Sequence, residues 1–505
     1  MWNRYLMWSR YPIWGRHLAC FVKSIGLIAI TILLLLVCST PAQAATAKHY
    51  TQLKFPPLAE VKLPKYERYM LDNGMVVYLM EDHELPLVGG TALVRTGDRL
   101  EPAMKIGLAS LTGSVMRTGG TQKHSPEKIN QLLEQRAAAV ESGIGESSGS
   151  ASFSALSEDL EMVFGLFSEV IRQPIFAQDK LDLAKTQIRG GISRRNDDPN
   201  SIVGREFQKL VYGSTSPYAR TVEYQTLDNI SRDDLVGFYR QYFHPNNIIL
   251  GIVGDFDSKQ MRSLISQQFG DWQPSLQLSS SRIPPVSEAK LGGMFFVNQP
   301  QLTQSYVQMG HLGGKFNSPD YASLDVLNRV LNGFSGRLFN TLRSRLGLAY
   351  TVYGTWSPHY DYPGVFVAGG QTRSETTVPF IRNLRSQISQ LQAKPVTPFE
   401  LRVAKESVLN SFVFNFEDPT QTISRLMRYE YYGYPKDFLF RYQRGVKATT
   451  ADDIQRVASK YLKPEQLITL VVGNTNAIIP PLTELSLKVT PVDITIPGSK
   501  PEGMK

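Results

Sequence analysis

Residues 231–254, SRDDLVGFYRQYFHPNNIILGIVG, align without a gap against residues 450–473, TADDIQRVASKYLKPEQLITLVVG. Asp233, Asp234, Tyr242, Pro245, Ile249, Val253 and Gly254 recur 219 positions later as Asp452, Asp453, Tyr461, Pro464, Ile468, Val472 and Gly473. Upstream the offset becomes 220. Leu181, Ala184, Lys185, Asp198, Pro199, Tyr212 and Gly213 return as Leu401, Ala404, Lys405, Asp418, Pro419, Tyr432 and Gly433. A period this long is a duplicated domain, not a solenoid unit. In the first copy residues 231–242 are expected to form a helix and 247–254 a buried strand ending at a turn, and the second copy is expected to repeat the order.

The rest of the chain extends that unit outwards. Tyr69 to Met80 is expected to form a β-hairpin, with Asn73-Gly74 supplying the tight turn. A strand is expected over 87–96, then a helix over 106–116 closed by Gly119-Gly120. Ser125-Pro126-Glu127 opens a helix expected to reach Val140, since Ser at the cap, Pro at the first turn and an early acid favour initiation. A strand over 148–156 and helices over 159–172 and 178–195 follow. In the second copy, strands are expected over 293–309 and helices over 321–331 and 338–345. Strands and helices in irregular order, with hairpins, imply an α+β fold and not a doubly wound parallel sheet.

Composition bounds the function. Arg4, Arg10, Arg16 and Lys23 precede the apolar run Ile25 to Cys38, and Pro41-Ala42-Gln43-Ala44 supplies a small-x-small cleavage site. Residues 1–44 read as a secretory signal peptide, the only contact with a membrane, and the protein as exported to the periplasm or an equivalent compartment. They hold four basic and no acidic side chain, so the net charge falls from +9 for the whole chain to +5. That charge is too mild for nucleic-acid binding. Both cysteines, Cys20 and Cys38, lie in this segment. The remainder has neither disulfide nor thiolate metal site. Of its six histidines the closest two, His49 and His83, are 34 residues apart, so no pair shares a helix face. The expected organisation is therefore a signal peptide over 1–44, a mobile segment over 45–65, a first half over 66–272, a Ser/Pro-rich linker over 273–290, a second half over 291–480 and a C-terminal tail over 481–505.

The string LDNGMVVYLMEDHELPLVGGTALVRTGDRLEPAMKIGLASLTGSVMRTGG (71–120), with Asn196-Asp197-Asp198-Pro199 and the Tyr242 to Pro245 region, resembles the insulinase-like, pitrilysin-type zinc peptidases in their processing-peptidase-like branch. The resemblance runs over roughly residues 60–480. It implies two homologous α+β halves closing like a clam over an extended peptide. It also implies a helix after Gly107-Leu108-Ala109 carrying H-x-x-E-H, two histidines on one face for zinc and a glutamate to activate water. Here those positions are Ser110, Gly113 and Ser114, and the later glutamate ligand aligns with Gly191. Hydroxyls of ordinary pKa are poor zinc ligands and weak bases. No cofactor is expected in this chain. A serine nucleophile at 110 or 114 would need a base, and His124 is the nearest in sequence.

The second copy keeps more of the resemblance. In Leu338 to Tyr350, LFNTLRSRLGLAY, Arg343 and Tyr350 match the family's Arg and Tyr, seven apart. The resemblance implies that both reach the scissile peptide and donate to its developing oxyanion. Arg345 lies five residues from Tyr350 and does not match. A blank zinc half beside a retained Arg/Tyr half implies a heterodimer. This chain would be the substrate-binding subunit, with zinc on a homologous H-x-x-E-H partner and a peptide gripped partly by strand addition. The rival reading is a non-catalytic scaffold or peptide-binding protein in a larger complex.

Overall fold

The computed structural model describes residues 61–277, 283–286 and 290–498. The signal peptide, Cys20, Cys38, His49 and part of the linker lie outside them. The first half runs β1 (Glu67–Met70), β2 (Val76–Glu81), β3 (Leu87–Val94), α1 (Leu108–Thr118), α2 (Pro126–Glu134), β4 (Ala139–Ile144), β5 (Gly149–Leu156), α3 (Leu160–Arg172), α4 (Gln178–Ser193), α5 (Pro199–Tyr212), α6 (Tyr224–Asp228), α7 (Arg232–Tyr242), β6 (Ile248–Gly254) and α8 (Ser258–Phe269). The second runs β7 (Gly293–Asn298), β8 (Gln304–Leu312), α9 (Tyr321–Leu331), a π-helix (Phe339–Arg345), β9 (Ala349–Ser357), β10 (Val365–Arg373), α10 (Thr377–Ala393), α11 (Pro398–Ser411), α12 (Pro419–Tyr432), α13 (Phe438–Ala448), α14 (Ala451–Tyr461), β11 (Ile468–Gly473) and β12 (Val489–Pro491).

The fold is α+β with two homologous halves, as the repeat implied, in the clam-like arrangement that the resemblance implied. The first sheet has the order β1-β2-β6-β3-β5-β4 and the second β12-β7-β11-β8-β10-β9. The two orders superimpose element for element, with one substitution. The antiparallel hairpin strand β1 is replaced in the second half by β12, parallel to β7. The expected C-terminal tail is therefore tied into the second half, and Val492 and Ile494 continue the packing. The helix expected to reach Val140 stops at Glu134. Ala137 takes φ +47°, and Ala139–Ile144 becomes the edge strand β4. The alanine run carries helical propensity but no apolar stripe, and pairing with β5 decides its state.

Each half lends a helix to the other. α5 packs on β8 and β11 of the second sheet, and α12 packs on β6 and β2 of the first. Ile202, Phe207 and Val211 sit with Phe295, Ile468 and Leu470, all buried. Ile423, Leu426 and Met427 sit with Tyr78, Ile249 and Val253. The Asp-Pro of the repeat starts both exchanged helices. Asp198 accepts from the amide of Ser201 at 2.9 Å, and Asp418 from that of Thr420 at 2.7 Å. The exchange explains why β6 and β11 are buried at every residue, because a helix covers each face. It also fixes Gly251: a Cβ there would lie 2.3 Å from Met427 Sδ. Charged pairs close the seam between the halves. Arg99, buried, meets the partly buried Asp361 at 2.5 Å, and Arg68 donates through Nε to Glu430 at 2.9 Å.

Candidate functional site

α1 carries the three positions where the resemblance implies H-x-x-E-H, and it packs against β4, α7 and α4. Its start is organised by Glu101, whose carboxylate accepts from the amides of Gly107 at 2.9 Å and Ala109 at 2.8 Å. An acid on these free amides is favourable. Its burial nonetheless raises its pKa to about 7, against the lowering by the two amides. Asp98 is raised to about 6 by burial, then by the nearby charge of Glu146. Arg220 bridges the same turn, donating to the carbonyls of Asp98 and Glu101 at 2.8 Å each.

Ser110 is exposed and opens onto a cavity of about 360 Å³ lined also by Asp98, Glu101, Glu146, Tyr218 and Arg220. Ser114 is exposed, one turn further on. Gly113, between them, is buried against β4. A Cβ at this position would lie 2.3 Å from the amide nitrogen of Ile144 and 2.6 Å from the carbonyl carbon of Gly143. Ser142 Oγ donates to the Gly113 carbonyl at 2.6 Å. The helix is thus seated on the backbone of β4 at the residue where a glutamate side chain would have to stand. Gly191, near the end of α4, faces open space. Two hydroxyls and two glycines are not a zinc donor set. Among the described residues there is no grouping of three or more His, Cys, Asp and Glu side chains suited to a metal. His124 Nδ1 is 2.8 Å from Glu169 Oε2, an interaction on α3 rather than with a serine of α1.

The structure brings Arg343 and Tyr350 together. The segment before Gly347 is a π-helix and not the expected α-helix. Its wider turn shows in the five-residue bond from Leu346 N to Thr341 O at 3.1 Å. Gly347, at φ +60°, ends it and releases the chain into β9, the edge strand of the second sheet. The Arg343 guanidinium lies 4.8 Å from the Phe339 ring and 4.6 Å from the Tyr350 ring. It has no ion-pair partner among the described residues, whereas Arg337 pairs with Glu400 at 2.6 Å. Tyr350 is 77 % exposed. Arg343 and Tyr350 form the wall shared by two cavities, of about 360 and 210 Å³. Arg345 is exposed and lines neither.

Two features were not legible in advance. Phe334, 83 % exposed, packs edge-on against Phe339 at 5.1 Å and extends the ring–cation row. A glycine at 113 already reads as a small residue where a helix packs closely, and it does; that the surface it meets is the backbone of β4 needed the tertiary structure.

Comparison with known proteins follows the same division. Residues 77–220 match the family model described as Insulinase (Peptidase family M16), and residues 229–408 match that described as Peptidase M16 inactive domain. Together they take in well over half of the chain. An uncharacterized zinc protease, YmxG, of Bacillus subtilis (strain 168) is 22% identical over 363 residues, 71% of this chain and 86% of that protein. A protein of Helicobacter pylori (strain ATCC 700392 / 26695), named non-peptidase homolog YmxG, is 22% identical over 453 residues, 88% of this chain and 98% of its own length. The crystal structure of a peptidase M16 inactive domain from Pseudomonas fluorescens aligns with a TM-score of 0.75 at 23% identity, covering 83% of this chain and 100% of that one.

Proposed function

This chain belongs to the insulinase-like M16 peptidase family, and from that premise we propose that it is the non-zinc, substrate-binding subunit of an exported heterodimeric metallopeptidase. One observation carries the reading. The backbone of Gly113 is packed against β4 where a catalytic glutamate would stand, while on the other half Arg343 stands unpaired against the face of an exposed Tyr350. The first arrangement cannot activate water. The second presents a guanidinium and a phenol, both donors, to whatever enters from outside.

In this reading a homologous partner carries H-x-x-E-H and zinc, and this chain carries no metal of its own. Arg343 and Tyr350 donate to the carbonyl oxygen of the scissile peptide as negative charge grows on it. The guanidinium is held between two rings, so little reorganisation accompanies the reaction. An extended peptide or unfolded polypeptide is held in part by the free edges of β4 and β9, through main-chain hydrogen bonds. Export rests on the leader read in residues 1–44; among the described residues no helix is long and apolar enough to cross a membrane.

The test is reconstitution. The purified chain alone hydrolyses no peptide; with the H-x-x-E-H homologue from its host, a chelator-sensitive activity appears. Activity of the partner that is indifferent to this chain sinks the proposal. The non-catalytic scaffold is the second reading, favoured by the name of the Helicobacter relative. It predicts co-purification of the two chains with no effect of Arg343 or Tyr350 substitutions on rate.

A further inference from the structure

The second half contains a cavity of about 410 Å³ between α9, α11, α12 and α13. It occupies in that half the place that the Ser110 cavity has in the first. α9 stands for α1, α11 for α4, and Tyr360 of the β9–β10 loop for Glu146 of the β4–β5 turn. The duplication has filled it differently. Phe316, Phe412 and Phe438 line it, and Tyr321 packs on Phe316 at 5.0 Å and on Tyr442 at 5.2 Å.

Its polar groups are lopsided. The acceptors are already used. Asp325 accepts from Tyr442 OH at 2.5 Å, and Asn415 accepts from Arg425 at 2.8 Å through its carbonyl and at 2.9 Å through its side chain. What remains is donors and positive charge. Tyr429 is 4% exposed, lines the cavity, and its hydroxyl has no hydrogen-bond partner among the described residues. The same holds for the hydroxyl of Tyr321. Burial pushes both phenols up, so they stay protonated and able to donate. Arg329, half exposed, lies 4.0 Å from Asp325, and Arg425 has no ion-pair partner among the described residues. Two guanidiniums against one carboxylate leave one positive charge over. A pocket lined by aromatic rings with a few convergent donors is the usual form of a small-ligand site.

We propose that this cavity binds a monoanionic carboxylate joined to an aromatic or bulky apolar body. The rings take the body, and Tyr429, Tyr321, Arg329 and Arg425 take the carboxylate, whose planar oxygens suit a guanidinium. The C-terminal residue of a polypeptide and a free aryl or acyl amino acid share this chemistry. The site needs neither zinc nor a second chain, so it stands apart from the subunit reading above.

Titration calorimetry on the whole chain without any partner tests it, with N-acetyl-L-phenylalanine and its amide as probes. The acid is expected to bind at one site and the amide at least about tenfold more weakly. Tyr429→Phe, which keeps the ring, and Arg329→Gln, at the surface, should each weaken the acid about tenfold and leave the amide unchanged. Equal binding of acid and amide, no binding of the acid at about 10 mM, or wild-type affinity in both variants overturns the proposal. Short peptides ending in phenylalanine, free and amidated, separate the sources. Tighter binding of the free-ended peptide than of the acid identifies a polypeptide end; exclusion of the peptide with retention of the acid identifies a free metabolite.

Discussion

Gly113 and Ile144 touch through their main chains: a Cβ on residue 113 would stand 2.3 Å from the Ile144 nitrogen. The position that would have to hold the base of a zinc peptidase is therefore closed by the edge strand itself. The loss is built into the packing of α1 on β4, not only into the identity of one residue.

Reinstating the motif should then fail. Gly113→Ala is expected to cost about 3 kcal/mol, the upper part of the range for overpacked sites. Ser110→His, Gly113→Glu and Ser114→His together should give a less stable chain that retains no stoichiometric zinc after dialysis. Denaturant melts and elemental analysis check this, and a stable zinc-loaded triple variant would refute it.

Arg343→Ala and Tyr350→Phe should slow the reconstituted peptidase about 10²- to 10³-fold each, the loss typical of one oxyanion donor. Stability should fall by no more than about 2 kcal/mol for Arg343→Ala, which removes two cation–π contacts, and by less for Tyr350→Phe, which keeps the ring. A loss of kcat with KM nearly unchanged separates oxyanion donation from simple peptide grip.

The exchanged helices predict one cooperative unit. Phe207 is fully buried, yet its neighbours belong to the other half's sheet. Phe207→Ala should lower stability by about 3–5 kcal/mol and melt both sheets in a single transition. Residues 61–277 expressed alone should show no cooperative melt. Two separate transitions in the intact chain would contradict the exchange as the source of its stability.

Stability should depend on pH through the α1 start. Asp98 and Glu101 have folded pKa values of about 6 and about 7, raised in each case chiefly by burial. Raised carboxyls add stability that is full below their unfolded pKa, near 4, and lost as pH climbs through the folded value. From pH 5 to pH 8 the melting temperature should therefore fall, and Asp98→Asn should fall less steeply. A profile unchanged by Asp98→Asn would remove Asp98 from this role.

The repeat made two equivalent halves legible, because apolar strands and capped helices recur at fixed offsets. The Asn73-Gly74 hairpin and the α9 helix, found over residues 321–331, were legible because local chemistry alone decides them. The partner of an exchanged helix was not. The stripe of Ile202, Phe207 and Val211 shows that α5 has an apolar face, but not which sheet it covers. Nor was the π-helix legible. Its wider turn leaves no compositional mark. The pairing of Arg343 with Tyr350 was expected only through resemblance, and the unpaired phenols of Tyr321 and Tyr429 had no sequence signature.

The helix exchange has a bearing on ancestry. A single unit of this repeat leaves one face of its sheet bare and one helix with nothing to cover, so a lone unit would need a second copy to embrace. In such a symmetric pair, every substitution strikes both copies at once. Fusion into one chain frees each copy to drift by itself. In this chain one half closes its helix onto β4 at Gly113 while the other holds Arg343 beside Tyr350.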